Sequence, residues 1–156
     1  MVKVKIAWLT ASLLTVMTPA WAGSSAHCPA IRDIKVRGML YSARVDGGGK
    51  WLGIADAGSR GRVKTFDRAI IYPTEQPTGK AGDTRRLEDM PARFGKCSYN
   101  LEHGSVDLRF KPATQPVVFV SPRATASWQK ETGAFDFRYF QCRQADPTAC
   151  LFVYTD

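Results

Sequence analysis

The chain is 156 residues long, 44% hydrophobic and 23% charged, with a formal net charge of +8. That length suits one domain with a real core, and no linker divides it into two. No second apolar stretch follows the one at the N-terminus, so there is no further candidate for a membrane span.

The first residues read as a secretory signal. Lys3 and Lys5 supply the charged n-region, residues 6–17 (IAWLTASLLTVM) the apolar h-region, and Ala20-Trp21-Ala22 an A-x-A site. Cleavage is expected after Ala22. A retained anchor is the alternative, but the run is short for a membrane span. No cysteine stands directly after the cleavage site, so a lipoprotein signal is not indicated. The mature chain is then a single β-rich extracytoplasmic domain over residues 23–156, periplasmic or secreted. Removing Lys3 and Lys5 from the 22 basic residues leaves 20 against 14 acidic, a net +6. Such a protein can meet nucleic acid, anionic glycan, lipid headgroups or acidic proteins. The moderate excess and the scatter of the basic residues favour a plain solubility role.

Cys28, Cys97, Cys142 and Cys150 are an even set, and an oxidising compartment makes disulfides of them with three possible connectivities. Zinc is poorly supported: there is no C-x-x-C, and His27 and His103 lack ligand spacing. Cys142 and Cys150 flank Asp146-Pro147, which favours a turn that brings the chain back on itself. That pairs 142 with 150, and 28 with 97 by elimination.

Taken in order, residues 31–45 (IRDIKVRGMLYSARV) suggest a strand interrupted at Gly38 by a bend or bulge. Asp46-Gly47-Gly48-Gly49 is a turn, and residues 51–54 resume a strand. The Gly run before Lys50 is no phosphate loop, because the earlier Gly is missing and Trp51 stands where a hydroxyl residue is needed. Residues 58–64 (GSRGRVK) read as a basic loop carrying Arg60, Arg62 and Lys64, the best sequence candidate for anion binding. Residues 64–72 read as a strand and residues 74–82 as a Pro/Gly/Thr-rich loop. Asp83 is placed to cap one helical turn over residues 84–90, stopped by Pro91, with only Leu87 and Met90 to bury.

Residues 94–111 (FGKCSYNLEHGSVDLRFK) form the clearest hairpin. With His103-Gly104 as a two-residue turn, Glu102 pairs with Ser105, Leu101 with Val106, Tyr99 with Leu108 and Cys97 with Phe110. Those apolar side chains then share one face. The cross-strand pairs Asn100/Asp107 and Ser98/Arg109 are expected on the other. Residues 116–120 (PVVFV) read as a short strand bounded by prolines. Glu131-Thr132-Gly133 reads as a turn into a strand over residues 135–142, where Phe140 breaks the alternation and signals a bulge or burial on both faces. Residues 150–154 close the chain. Short strands punctuated by Gly and Pro make the fold class all-β, mainly antiparallel: a small disulfide-stapled sandwich or open barrel with at most one short helix.

Several motifs together, Cys28-Pro29…Ile34, Gly38…Tyr41-Ser42-Ala43, Trp51-Leu52-Gly53, Phe66…Ala69, Cys97-Ser98-Tyr99-Asn100 and a late Tyr139-Phe140-x-Cys142…Cys150, give the mature chain a resemblance to a family of small secreted bacterial proteins of unknown function. The resemblance spans nearly all of the mature chain and implies an exported, disulfide-bonded single domain. It implies no activity and no catalytic residues.

No catalytic residue is nominated from the sequence, and no cofactor or metal is expected. His27 and His103 read as a terminal and a turn residue without convergent partners. No serine sits in a G-x-S-x-G elbow. Asp136 reads as a solvent-facing strand residue and Asp56 as a loop residue, not as paired carboxylates. Trp51 and Trp128 are expected to be buried anchors. Sparse aromatic interleaving and the lack of a recognition motif count against nucleic acid. The leading expectation is an exported, non-enzymatic β-domain that binds an unknown protein or an anionic envelope component. The alternatives are a small secreted hydrolase or nuclease with a dispersed site, or a periplasmic enzyme inhibitor. The +6 charge speaks against an inhibitor of basic lysozymes.

Overall fold

In the computed structural model the described residues are 24–46, 48–76, 78, 80, 86–113, 119–122 and 126–155. The signal segment, the Asp83 cap and residues 116–118 lie outside them. The regular structure of the described residues is antiparallel β, and their helices are all short 3-10 turns. Its strands are β1 (Ser24–His27), β2 (Lys35–Arg37), β3 (Leu40–Arg44), β4 (Lys50–Ile54), β5 (Arg60–Pro73), β6 (Ala92–His103), β7 (Ser105–Lys111), β8 (Phe119–Pro122), β9 (Trp128–Thr132), β10 (Arg138–Cys142) and β11 (Leu151–Thr155). Eight of them make one open sheet in the order β2-β3-β4-β7-β6-β5-β10-β9, and three make a second, β1-β11-β8.

Alternation decides which side faces inward. In β3 (LYSAR) and β4 (KWLGI) the second and fourth residues are buried and the flanking ones exposed. Trp51 is fully buried, within ring contact of Phe94, Phe110 and Phe152. Phe152 comes from β11, so these rings join the small sheet to the large one. Its contacts with Phe94 and Phe110, at ring-centroid distances of 4.3 and 5.5 Å, complete the cluster. The Trp51 indole N–H is buried without an acceptor among the described residues, so this side chain contributes by packing. Trp128 is buried too, and its N–H donates to the Leu151 carbonyl at 2.6 Å. Both tryptophans are therefore core anchors.

The disulfides join Cys28 to Cys97 and Cys142 to Cys150, the pairing expected from the sequence. The first fastens the segment ahead of β2 to the middle of β6. Beside it, Tyr99 donates its hydroxyl to the Pro29 carbonyl at 2.7 Å, and burial pushes that hydroxyl's pKa far up. The second closes a short loop in which Asp146 accepts from the backbone N–H and the hydroxyl of Thr148.

The structure corrects the sequence reading in several places. The hairpin register is shifted by two: Cys97 faces Leu108, Tyr99 faces Val106 and Asn100 faces Ser105. The connection is thus four residues, Leu101 to Gly104, with the Leu101 N–H bonded to the Gly104 carbonyl at 2.9 Å and Gly104 at φ 74°. A neighbour causes the shift. β5 pairs with the tip, Val63 opposite Leu101 and Arg60 opposite His103, so Leu101 and His103 are used on the far side of β6. Because the slip is even, the expected apolar face still points inward. The polar pairs change: Ser98 stands opposite Asp107, and Asn100 donates to Thr65.

Gly38 does not interrupt one strand. With Met39 it turns the chain back, so that Arg37 faces Leu40 and β2 pairs with β3. The basic loop expected over residues 58–64 is mostly strand, since β5 begins at Arg60. Of the helix expected over residues 84–90, the described part is a 3-10 turn, Leu87–Asp89, with Leu87 and Met90 buried. Glu131 and Thr132 belong to β9, and the turn that follows carries Phe135 and Asp136 at φ 57°. Asp136 is exposed, but on this turn and not on a strand. Phe140, Gln141 and Cys142 are all buried, so β10 is covered on both faces.

Candidate functional site

One face of the large sheet packs on the three-stranded sheet, and the other looks outward. Register pairs share a face, so the outer one can be read row by row. Arg37 lies beside Leu40 and Ile54; Lys35 beside Ser42, Leu52 and Arg109; Arg44 beside Lys50 and Lys111. Lys35, Arg37, Arg44, Lys50, Arg109 and Lys111 are all exposed. Successive rows lie ~7 Å apart and neighbouring strands about 5 Å apart. The six cations therefore occupy an area about 14 Å on a side, and those on neighbouring rows or strands lie within the ~8 Å screening length of physiological salt. Their potentials add.

Among the described residues none of the six is held in an ion pair. Arg109 donates to the Gly95 carbonyl at 3.3 Å. The adjoining half of the same face, on β6, β5 and β10, is compensated. There Lys96 and the Ser98 hydroxyl each bind an Asp107 oxygen at 2.7 Å, and Arg68 bridges Asp67 and Gln141. Burial works to raise the Asp107 carboxyl, but hydrogen bonds from Lys96 and Ser98, with the charges of Lys96 and Arg109, hold it below the ordinary range. Asp107 is thus already engaged, and the β2–β3–β4–β7 half is left positive. A groove of about 1190 Å³ runs along β2, β3 and β4 and on to β1, taking in Lys35, Arg37, Arg44 and Lys50 along with Arg32, Asp33 and Asp46.

The sequence candidates for anion binding, Arg60, Arg62 and Lys64, are exposed on the first part of β5. They form a single row along one strand. Glu102 of the hairpin tip accepts from the Arg62 backbone N–H at 3.2 Å and lies 3.9 Å from its guanidinium. Glu102 packs directly over Gly61, whose φ of 97° a side chain would strain. Tyr41 donates to the Gly61 carbonyl at 2.7 Å; burial, and then the Glu102 charge, raise its hydroxyl pKa. The row is real, but one of its three charges is partly answered.

His27 stands on β1 with Nδ1 2.8 Å from the Cys28 carbonyl, and His103 is exposed at the hairpin tip. No hydrogen bond joins either to a carboxylate among the described residues. No group of three or more His, Cys, Asp or Glu there is arranged to hold a metal. No helix of the described residues is long and apolar enough to cross a membrane. Sequence reading missed the six-cation face because it draws one or two residues from each of four strands. The available signal was the alternate cations of β2 and β7 with the single cations that end β3 and open β4, and it becomes a patch only once the strand order is known.

Residues 22–153 match the family described as "Protein of unknown function (DUF3757)". The match covers most of the chain, and the chain belongs to that family. No curated protein and no solved structure matches it.

Proposed function

We propose that this DUF3757 chain is an exported, non-enzymatic binding domain of a bacterial envelope that takes an anionic partner on the outer face of β2, β3, β4 and β7. The Lys3/Lys5, residues 6–17 and Ala20-Trp21-Ala22 order supports export, with the mature protein starting at Gly23 in the periplasm or outside the cell. Two disulfides fit an oxidising compartment. The observation that carries the reading is the set of six exposed cations on four adjacent strands, none of them held in an ion pair among the described residues. Guanidinium and ammonium groups so placed present several donors to phosphate, sulfate or carboxylate at once.

The test is retention of the oxidised mature protein on immobilised heparin across a salt gradient, beside a variant with Arg44→Glu, Lys50→Glu and Lys111→Glu. Wild type is expected to elute late, and the variant near the void at unchanged urea midpoint, since exposed charges contribute little to stability. Equal elution of the two proteins refutes the reading of this face. N-terminal sequencing of exported material that returns Met1 refutes the cleavage.

A further inference from the structure

We infer that the occupant of this face is the surface of an anionic phospholipid bilayer, an inference that rests on the anion-binding reading above. The rows are not equivalent along the strands. At one end the cross-strand pair Leu40 and Ile54 is exposed, Ile54 to 73%, and Met39 beside it to 48%. The Ala55 N–H bonds to the Met39 carbonyl at 3.0 Å, which fastens the β2–β3 turn to the end of β4. The middle row sets half-buried Leu52 between Lys35 and Arg109, and the last row is wholly cationic with Arg44, Lys50 and Lys111. Arg37 shares the row of Leu40 and Ile54 at its β2 edge, and from that row apolar character gives way to positive charge over about 14 Å, two row spacings.

That gradient matches a lipid headgroup layer and matches soluble polyanions badly. A sulfated or phosphorylated glycan, or a nucleic acid, engages the charges and leaves Met39, Leu40 and Ile54 in water. Such ligands are also gripped by ring stacking. The rings on these strands, Tyr41, Trp51 and Phe110, belong to the core, so this face has none to offer. A bilayer engages both ends of the gradient, because a few aliphatic side chains at the acyl boundary and a cluster of cations at the phosphates act together. The sheet then lies tilted, with the Gly38–Met39 turn and Ile54 dipped into the interface and the two cationic rows beside the phosphates.

Cosedimentation of the oxidised mature protein with vesicles of phosphatidylglycerol and phosphatidylcholine, or of phosphatidylcholine alone, tests this. Two variants separate the parts: Leu40→Ser with Ile54→Ser, and Arg44→Glu with Lys50→Glu and Lys111→Glu. Wild type is expected on the mixed vesicles and not on pure phosphatidylcholine. Each variant should lose at least tenfold in vesicle affinity, while the Ser variant keeps wild-type elution from heparin. Both altered aliphatics are exposed, so folding should survive; Met39→Gln is the substitute if the urea midpoint falls, with several-fold weaker vesicle binding expected. Wild-type vesicle binding by the Ser variant, or heparin retention without any vesicle binding, overturns the lipid inference and leaves the anion site standing. Vesicle and heparin binding unaffected by the charge reversals overturns both.

Discussion

Two cationic regions of this protein look alike in composition and differ in architecture. Arg60, Arg62 and Lys64 lie within five residues on one strand, and Glu102 opposes the middle one. The six cations of the outer face are spread from Lys35 to Lys111 in the chain, yet they stand side by side on four strands. A strand places alternate residues ~7 Å apart in a line, whereas neighbouring strands bring residues to about 5 Å in the second direction. Sequence proximity within a strand therefore makes a row, and only strand order makes a patch.

The comparison can be broken most severely through the disulfides. Cys28–Cys97 spans 69 residues and fastens the lead into β2, while Cys142–Cys150 spans 8 and lies by β10. Replacing the first pair with Ser should cost about 4 kcal/mol and the second about 2–3 kcal/mol by the loop-entropy argument. The first change should also loosen β2 and weaken anion binding; the second should not. Urea midpoints and heparin elution read both, and equal midpoints would count against the loop-length account.

Smaller effects sharpen the distinction. A side chain at Gly53 would collide with the Asp107 carbonyl and Leu108, where β4 meets β7. Gly53→Ala should cost about 1–3 kcal/mol through overpacking and separate Arg109 and Lys111 from Lys50, lowering heparin retention. Gly61→Ala should cost a similar ~1–3 kcal/mol, because a left-handed residue acquires a Cβ under Glu102. It disturbs the β5 row, Glu102 and the bond from the buried Tyr41 hydroxyl, but none of the six outer-face cations, so heparin retention should hold. Loss of retention in Gly61→Ala but not in Gly53→Ala would reverse the assignment of the anion site.

The smallest effect is a pH dependence. The Asp107 pKa is lower in the folded chain than in the unfolded one, so its contribution is present at neutral pH. It is lost as pH falls below the ordinary aspartate value of about 3.9 through the lowered folded one. Asp107→Asn should cost less than about 1 kcal/mol at neutral pH, as expected for a partly exposed ion pair, and should flatten the acid limb of a stability profile. It also frees Lys96 beside the patch, so heparin elution should move to slightly higher salt. A steeper acid limb in the variant would contradict the assigned sign.

The even register slip at Cys97–Leu108 shows what patterning can and cannot fix. Side chains alternate with period two, so a shift of two residues leaves every apolar group inside and cannot be seen in the pattern. It was decided by β5, which uses Leu101 and His103 from the other side of β6. The same strand turned the basic loop expected over residues 58–64 into a ladder, because the hairpin tip supplied it a partner. Gly38 was ambiguous for a related reason: a bend and a reversal demand the same glycine, and only the pairing of Arg37 with Leu40 separates them.

By itself the sequence determined the class of fold, the buried tryptophans, the inward face of the central hairpin and which cysteines meet, because each follows from short-range alternation, ring size or loop closure. Strand order, the partners of β5 and the meeting of Lys35, Arg37, Arg44, Lys50, Arg109 and Lys111 were decided only in the folded chain. Backbone hydrogen bonding joins strands with little regard for side-chain identity. A surface assembled across strands is therefore written in no single stretch of residues.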